Sequence, residues 1–171
     1  MEFLPTQKED LPRVMEIVNE AQQYLASLNI DQWQDNYPNE ETILNDIDKK
    51  QSFVIKDDGV VIGTTVFTTE EDLNYRKVEG GEWLTLKDNL YGVIHRIAVS
   101  NVYRSKGFAK FVFNHCEGLL KKQGVESMRI DTHRDNLGMQ ALVEALGYVY
   151  CGVIYLARGG DERLAFEKIL K

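Results

Sequence analysis

Residues Val93 to Leu120 read VIHRIAVSNVYRSKGFAKFVFNHCEGLL, and their pattern decides the fold. Val93 to Val99 is an apolar run of strand length, after which Phe108, Phe111, Val112, Cys116, Leu119 and Leu120 recur at helical spacing. Between them lies Arg104-Ser105-Lys106-Gly107-Phe108-Ala109, a basic turn with one glycine. A strand feeding a helix through such a turn leaves backbone N–H groups unbonded at the positive end of the helix dipole. That is the local chemistry of a phosphate site. An ordinary strand-turn-helix unit with a surface Arg and Lys has the same residues, so the turn alone leaves both readings open.

The rest of the chain bounds what this unit can belong to. At 171 residues it has the size of one domain with room for a real core, and no repeat, low-complexity tract or linker divides it, so residues 1–171 are expected to form one domain. With 43% hydrophobic and 27% charged residues, the composition is globular. No apolar run approaches the roughly 20 residues that span a bilayer. The opening MEFLPTQKED carries no signal-peptide pattern, which sets a cytoplasmic expectation. A net charge of −7 argues against bulk attachment to nucleic acid or an anionic membrane. Cys116 and Cys151 read as reduced, buried cysteines, and three scattered histidines lack metal-ligand spacing, so no metal is expected.

Upstream, Met1 to Pro5 supplies a short edge strand and Thr6-Gln7-Lys8-Glu9 has the spacing of a capping box. Leu11, Val14, Met15, Val18, Ala21, Leu25 and Leu28 predict a helix from about residue 7 to 28. The polar connection that follows carries Trp33 and Tyr37, which either plug a seam between helices or wall a substrate pocket. A second helix is expected over about 40 to 49, then strands at 52–56 and 60–68 around Asp57-Asp58-Gly59. Residues 69 to 90 are too many for an unstructured link and predict the end of one strand, a loop near Gly80-Gly81 and the start of a fourth strand.

Downstream, Gly124 ends the central helix, and Met128, Ile130 and Thr132 alternate in a strand over 127–132. A helix opens at Asp135-Asn136 and runs through Leu146 to Gly147. Strands at 148–157 and 163–169 close the chain as a hairpin, and the edge of the short final strand would allow sheet extension into a homodimer. Strand, turn, helix, strand is a right-handed crossover, which makes the strands at 93–99 and 127–132 parallel neighbours.

Val99, Arg104, Gly107 and Ala109 resemble the cofactor-binding motif of the GNAT N-acetyltransferase superfamily: a strand ending in Val, Arg or Gln five residues on, then Gly, and Gly or Ala two further. Asn101 stands where the family often has proline. Asn136, with Gly147 and Tyr148 following, resembles the two ends of the family's fourth motif, so the resemblance covers about residues 52 to 169. It implies an α/β fold: a single GNAT-like domain with a mixed, mostly antiparallel sheet of six or seven strands, a splayed parallel central pair and about four helices.

The resemblance also implies acetyl-CoA as donor. The N–H groups of Ser105, Lys106, Gly107, Phe108, Ala109 and Lys110 would hold the pyrophosphate, with Arg104 and Lys106 adding positive charge. The backbone edge of Ile97 to Val99 would pair with the pantetheine arm, the Val99 N–H would polarise the thioester carbonyl, and Asn136 would act as helix cap and cofactor contact. The acceptor implied is a primary amine, small molecule or peptide, near Trp33, Tyr37 and the 69–90 segment.

A reacting amine must shed a proton, and two positions that handle protons in some family members hold Val93 and Val143 here. His95 shares strand parity with Val93, Ile97 and Val99, and His133 ends the next strand, which makes both candidates for base or relay. A structural histidine within the sheet is the competing reading of His95. Tyr103 and Tyr148 would serve as acid only if turned inward; otherwise solvent protonates the thiolate. The expected function is acetyl transfer from acetyl-CoA to a primary amine by direct attack in a ternary complex. The alternative is a non-catalytic acyl-CoA-binding or sensing module.

Overall fold

The structure, a computed structural model, describes residues 1–86 and 90–170. Its strands form one seven-stranded sheet in the order β1-β2-β3-β4-β5-β7-β6. The fold is α/β, with four α-helices among the described residues and one parallel pair, β4 with β5. Contacts divide the chain into two compact units: Met1–Thr68 with Ile94–His115, and Thr69–Val93 with Cys116–Lys171.

The first unit contains β1 (Glu2–Pro5), α1 (Leu11–Ser27), α2 (Glu40–Asp48), β2 (Ser52–Asp57) and β3 (Val60–Thr68). It also takes the C-terminal part of β4 (Tyr91–Val99) and the first turns of α3 (Phe108–Lys122). β1 and β3 flank β2 in antiparallel pairing. The turn that joins β2 to β3 has Asp58 and Gly59 at φ 49° and 78°, as the Asp-Gly pair predicts. Val14, Ile17 and Val18 of α1, Ile43 of α2, Val54 of β2, Val61 of β3 and Ala98 of β4 form one buried cluster. The α-helix starts later than residue 7, because Lys8–Asp10 forms a 3-10 turn and Pro12 occupies the first α-helical turn. The cap also differs: the Gln7 N–H donates to Asp10 at 3.0 Å, while the Thr6 hydroxyl is buried against the Ser52 hydroxyl at 2.8 Å.

The second unit contains β5 (Ser127–Thr132), α4 (Leu137–Ala145), β6 (Val149–Tyr155) and β7 (Glu162–Ile169). Tyr91–Val93 of β4 run parallel to Ser127–Arg129 of β5, and the ladder stops there. β7 pairs antiparallel with β5 on one side and β6 on the other, so the final strand is interior rather than an edge open to a second copy. The edge strand is β6, and Glu79 bridges to its Val153 in both directions at 2.8 and 2.9 Å.

Residues 69–86 hold no strand of their own beyond that bridge. They form a 3-10 turn at Leu73–Arg76 and tie themselves to the sheet: Trp83 donates to the Tyr75 carbonyl at 2.8 Å, and the Leu84 and Thr85 amides donate to Glu167. The part of the fourth-strand expectation that falls on 87–89 lies outside the described residues.

Candidate active site

The turn after β4 is built by three local choices. Residues Asn101–Tyr103 make one 3-10 turn, then Ser105 and Gly107 take left-handed φ of 64° and 81° and release the chain into α3 at Phe108. Phe108 seats the helix. A Cβ on Gly63 of β3 would come within 2.2 Å of its ring and 2.8 Å of the Ala98 carbonyl, so the glycine lets the α3 N-terminus settle on the sheet. The first α3 amide to bond back is Phe111, to the Gly107 carbonyl at 3.0 Å. The amides of Gly107, Phe108, Ala109 and Lys110 therefore lack an intrahelical acceptor, while a Cβ on Gly107 would meet nothing.

Arg104 turns toward α1, its guanidinium 3.4 Å from the centre of the Tyr24 ring and donating to Asn101 Oδ1 at 2.6 Å. The Lys106 ammonium stands 5.2 Å from the Tyr103 ring centre. The capacity of the turn to hold an anion thus resides mainly in its backbone amides and the helix dipole.

Within β4, Arg96 takes φ 48°, which interrupts the alternation on which the placement of His95 beside Ile97 and Val99 depended. Arg96 donates to both carboxylate oxygens of Asp46 on α2, at 2.9 and 2.7 Å, and to the Tyr37 hydroxyl at 2.9 Å. Burial raises the Asp46 carboxyl from its ordinary value, and the Arg96 guanidinium opposes that shift. His95, half-buried, lies close enough to act on Asp46 electrostatically, and its carbonyl accepts from the Thr65 hydroxyl at 3.2 Å.

The connection carrying Trp33 and Tyr37 is laced to α1 by Gln22, whose side-chain amide donates to the Tyr37 and Pro38 carbonyls at 3.0 and 3.1 Å. Trp33 packs on the α1–α2 core cluster, which is the seam-filling reading. Tyr37 instead presents its hydroxyl to Arg96. Sequence reasoning missed Arg96 and Asp46; the available signal was a charge in mid-strand and a carboxylate on the inward stripe of the second helix, beside Ile43 and Ile47.

His133 and Asn136 belong to the second unit. The Asp135 amide donates to His133 Nδ1 at 3.1 Å, so neutral His133 carries its proton on Nε2 and offers a donor there rather than a lone pair. Asn136 is the cap of α4, its Oδ1 accepting from the Met139 amide at 3.1 Å. Tyr148 is buried and donates to Glu117 at 3.0 Å, which also receives Lys168 at 2.8 and 2.9 Å. Burial and the Glu117 charge push the phenol far above its ordinary value, removing Tyr148 as a proton donor. Val93 and Val143 are fully buried.

A sequence model of the Acetyltransferase (GNAT) family matches residues 12–148. The chain belongs to the GNAT acetyltransferase family. An acetyltransferase of the GNAT family from Streptococcus agalactiae 2603 is 31% identical, with 99% of this chain and 95% of that one covered and a TM-score of 0.88. Another from Listeria monocytogenes 4b F2365 shares the fold at 16% identity, 99% and 94% coverage and a TM-score of 0.76. The PaiA N-acetyltransferase of Thermoplasma acidophilum, solved in complex with coenzyme A, shares it at 19% identity, 98% coverage of both chains and a TM-score of 0.69. A search of curated protein sequences gave no match.

Proposed function

We propose that the protein transfers an acetyl group from acetyl-CoA to a primary amine, of a small molecule or peptide, by direct attack in a ternary complex. The observation that carries this reading is the turn from Arg104 to Lys110: four helix-start amides without intrahelical acceptors, beside a left-handed Gly107 open to whatever lies over it. The turn fits a pyrophosphate. Bound acetyl-CoA supplies a thioester whose acyl carbon the amine nitrogen bonds as the carbon–sulfur bond breaks. Ser105 to Lys110 hold the donor, the Ile97–Val99 backbone aligns its arm, and the Val99 N–H donates to the thioester carbonyl. Asn136 contributes a further donor contact.

His95 is the favoured group for taking the amine proton, directly or through water, since His133 in its neutral form presents a donor. The leaving thiolate takes its proton from solvent. Trp33 and Tyr37 flank the acceptor, with Tyr37 positioned by Arg96. One domain over 1–171 carries the reaction.

A second reading, an acyl-CoA-binding module without turnover, is favoured by the buried Val93 and Val143, neither of which transfers protons. Incubating purified protein with acetyl-CoA and a broad amine panel, while measuring released thiol and acetylated amine, separates the two. Equal thiol and product for at least one amine supports the transferase; CoA binding with no thiol release across the panel gives the case to the second reading.

A further inference from the structure

The glycine turn before α3 is held firmly at one end and lightly at the other. Its C-terminal end has Phe108, 4% exposed and seated over Gly63. Its N-terminal end, the 3-10 turn Asn101–Tyr103, buries no side chain, and Val102 is 68% exposed. The backbone bonds there are long: the Arg104 amide reaches the Asn101 carbonyl at 3.3 Å and the Lys106 amide the Tyr103 carbonyl at 3.4 Å. Ser105 nevertheless stands at φ 64°, a conformation that a residue with a Cβ keeps only where its surroundings enforce it.

The missing hold comes from α1. Glu20 and Tyr24 are four residues apart on that helix and share a face. Glu20 Oε2 accepts from the Asn101 amide at 2.6 Å, and its Oε1 lies 3.7 Å from the Arg13 guanidinium, which donates through Nε to the Val61 carbonyl at 3.2 Å. Tyr24 presents its ring to the Arg104 guanidinium at 3.4 Å, and Arg104 donates to Asn101 Oδ1 at 2.6 Å. Val14, Ile17, Val18 and Leu25 of the same helix are buried, so these two side chains project from an element anchored in the core. Asn101 has both its amide and its side chain taken. Polar contacts with α1 thus fix the end of the turn that burial leaves loose.

We propose that Glu20 and Tyr24 are positioning residues for the acyl donor: they hold Asn101 and Arg104, and through them the turn whose amides receive the pyrophosphate, without touching the donor themselves. A turn set in its binding form beforehand spares association the cost of ordering it. This rests on the reading of the protein as a CoA-using transferase.

Isothermal titration with CoA tests it on the wild type, Tyr24→Leu, Tyr24→Phe, Glu20→Ala and Glu20→Gln, with a thermal melt of each so that every titration is run on folded protein. The leucine and alanine variants should each raise the Kd about threefold to tenfold, the worth of one net contact. Tyr24→Phe keeps the ring and Glu20→Gln keeps an acceptor, so both should bind near wild type. Ser100, at φ −56° and ψ 142°, accepts a following proline. Asn101→Pro has no amide for Glu20 to take, so adding Glu20→Ala to it should cause no further loss. If Glu20→Ala does not fold, Tyr24→Leu, at a position 44% exposed, carries the test. Wild-type or tighter CoA affinity in the leucine or alanine variant, even one that melts lower, shows a merely structural role and overturns the proposal. Equal losses in the two conservative variants, or a further loss on adding Glu20→Ala to Asn101→Pro, also overturn it. A wild type that does not bind CoA overturns the transferase reading first, and this inference with it.

Discussion

At the scale of single residues, the Arg96 side chain does the most work in the first unit. It joins a strand, a helix and a connection through Asp46 and the Tyr37 hydroxyl. Asp46→Asn leaves the guanidinium without its counter-charge in a site shielded from water, and should lower unfolding free energy by about 3 kcal/mol in urea titrations. Tyr37→Phe removes one acceptor from Arg96 and should raise the KM for the amine while leaving that for acetyl-CoA in place; equal rises in both would make Tyr37 merely structural. The thiols make a second residue-scale case. Cys116 and Cys151 are free and buried, with burial the main cause that raises both thiols, Cys151 to about 11. A thiol reagent at neutral pH should modify neither until the protein is unfolded.

At the scale of elements, the start of α3 is defined from two sides. Gly63 gives Phe108 its seat, so Gly63→Ala forces a Cβ onto a ring and a backbone carbonyl that have little room to retreat. The expected cost is about 1–3 kcal/mol, measured by thermal or urea unfolding. Gly107 is the reverse case, because its added Cβ meets no protein atom. Gly107→Ala should cost only about 1 kcal/mol of stability for its left-handed φ, and any larger loss of CoA affinity in titration then reports a ligand lying over the turn.

At the scale of the molecule, the sheet gathers its buried charge in the second unit. Arg129 lies between the Trp83 and Tyr91 rings, 4.2 and 3.9 Å from their centres, and pairs with Glu167 at 3.0 Å. Burial alone would raise the Glu167 carboxyl, but hydrogen bonds from Thr85 and Ser127, and the Arg129 charge, hold it below the ordinary glutamate range. A depressed carboxyl contributes stability above its unfolded pKa of about 4.3 and loses it as pH falls through the lower folded value. The wild type should therefore lose stability in acid from about pH 4 downward. Glu167→Gln should flatten that slope and cost about 3–5 kcal/mol at neutral pH, where Arg129 is left buried and unpaired. Among the described residues, no helix is long and apolar enough to cross a membrane, and no group of three or more His, Cys, Asp or Glu could hold a metal ion.

The central strand, its glycine turn and the helix behind it were legible from Val93 to Leu120, because apolar period and turn chemistry are local properties of the chain. The Asp-Gly hairpin and the Asn136 cap were legible for the same reason. Three things were not. The alternation along β4 failed at Arg96, whose left-handed backbone goes with its grip on Asp46, 50 residues away in the chain. The final strand, taken for an edge, became interior, since strand order depends on which partners close over it. Tyr148 keeps its proton and donates a hydrogen bond to Glu117, an outcome set by what the side chain meets after folding. Sequence by itself determined most of the elements and the glycine turn before α3, where the physics acts within a few residues; only the tertiary structure decided pairing, burial and hydrogen-bond supply, which depend on groups brought together from distant positions.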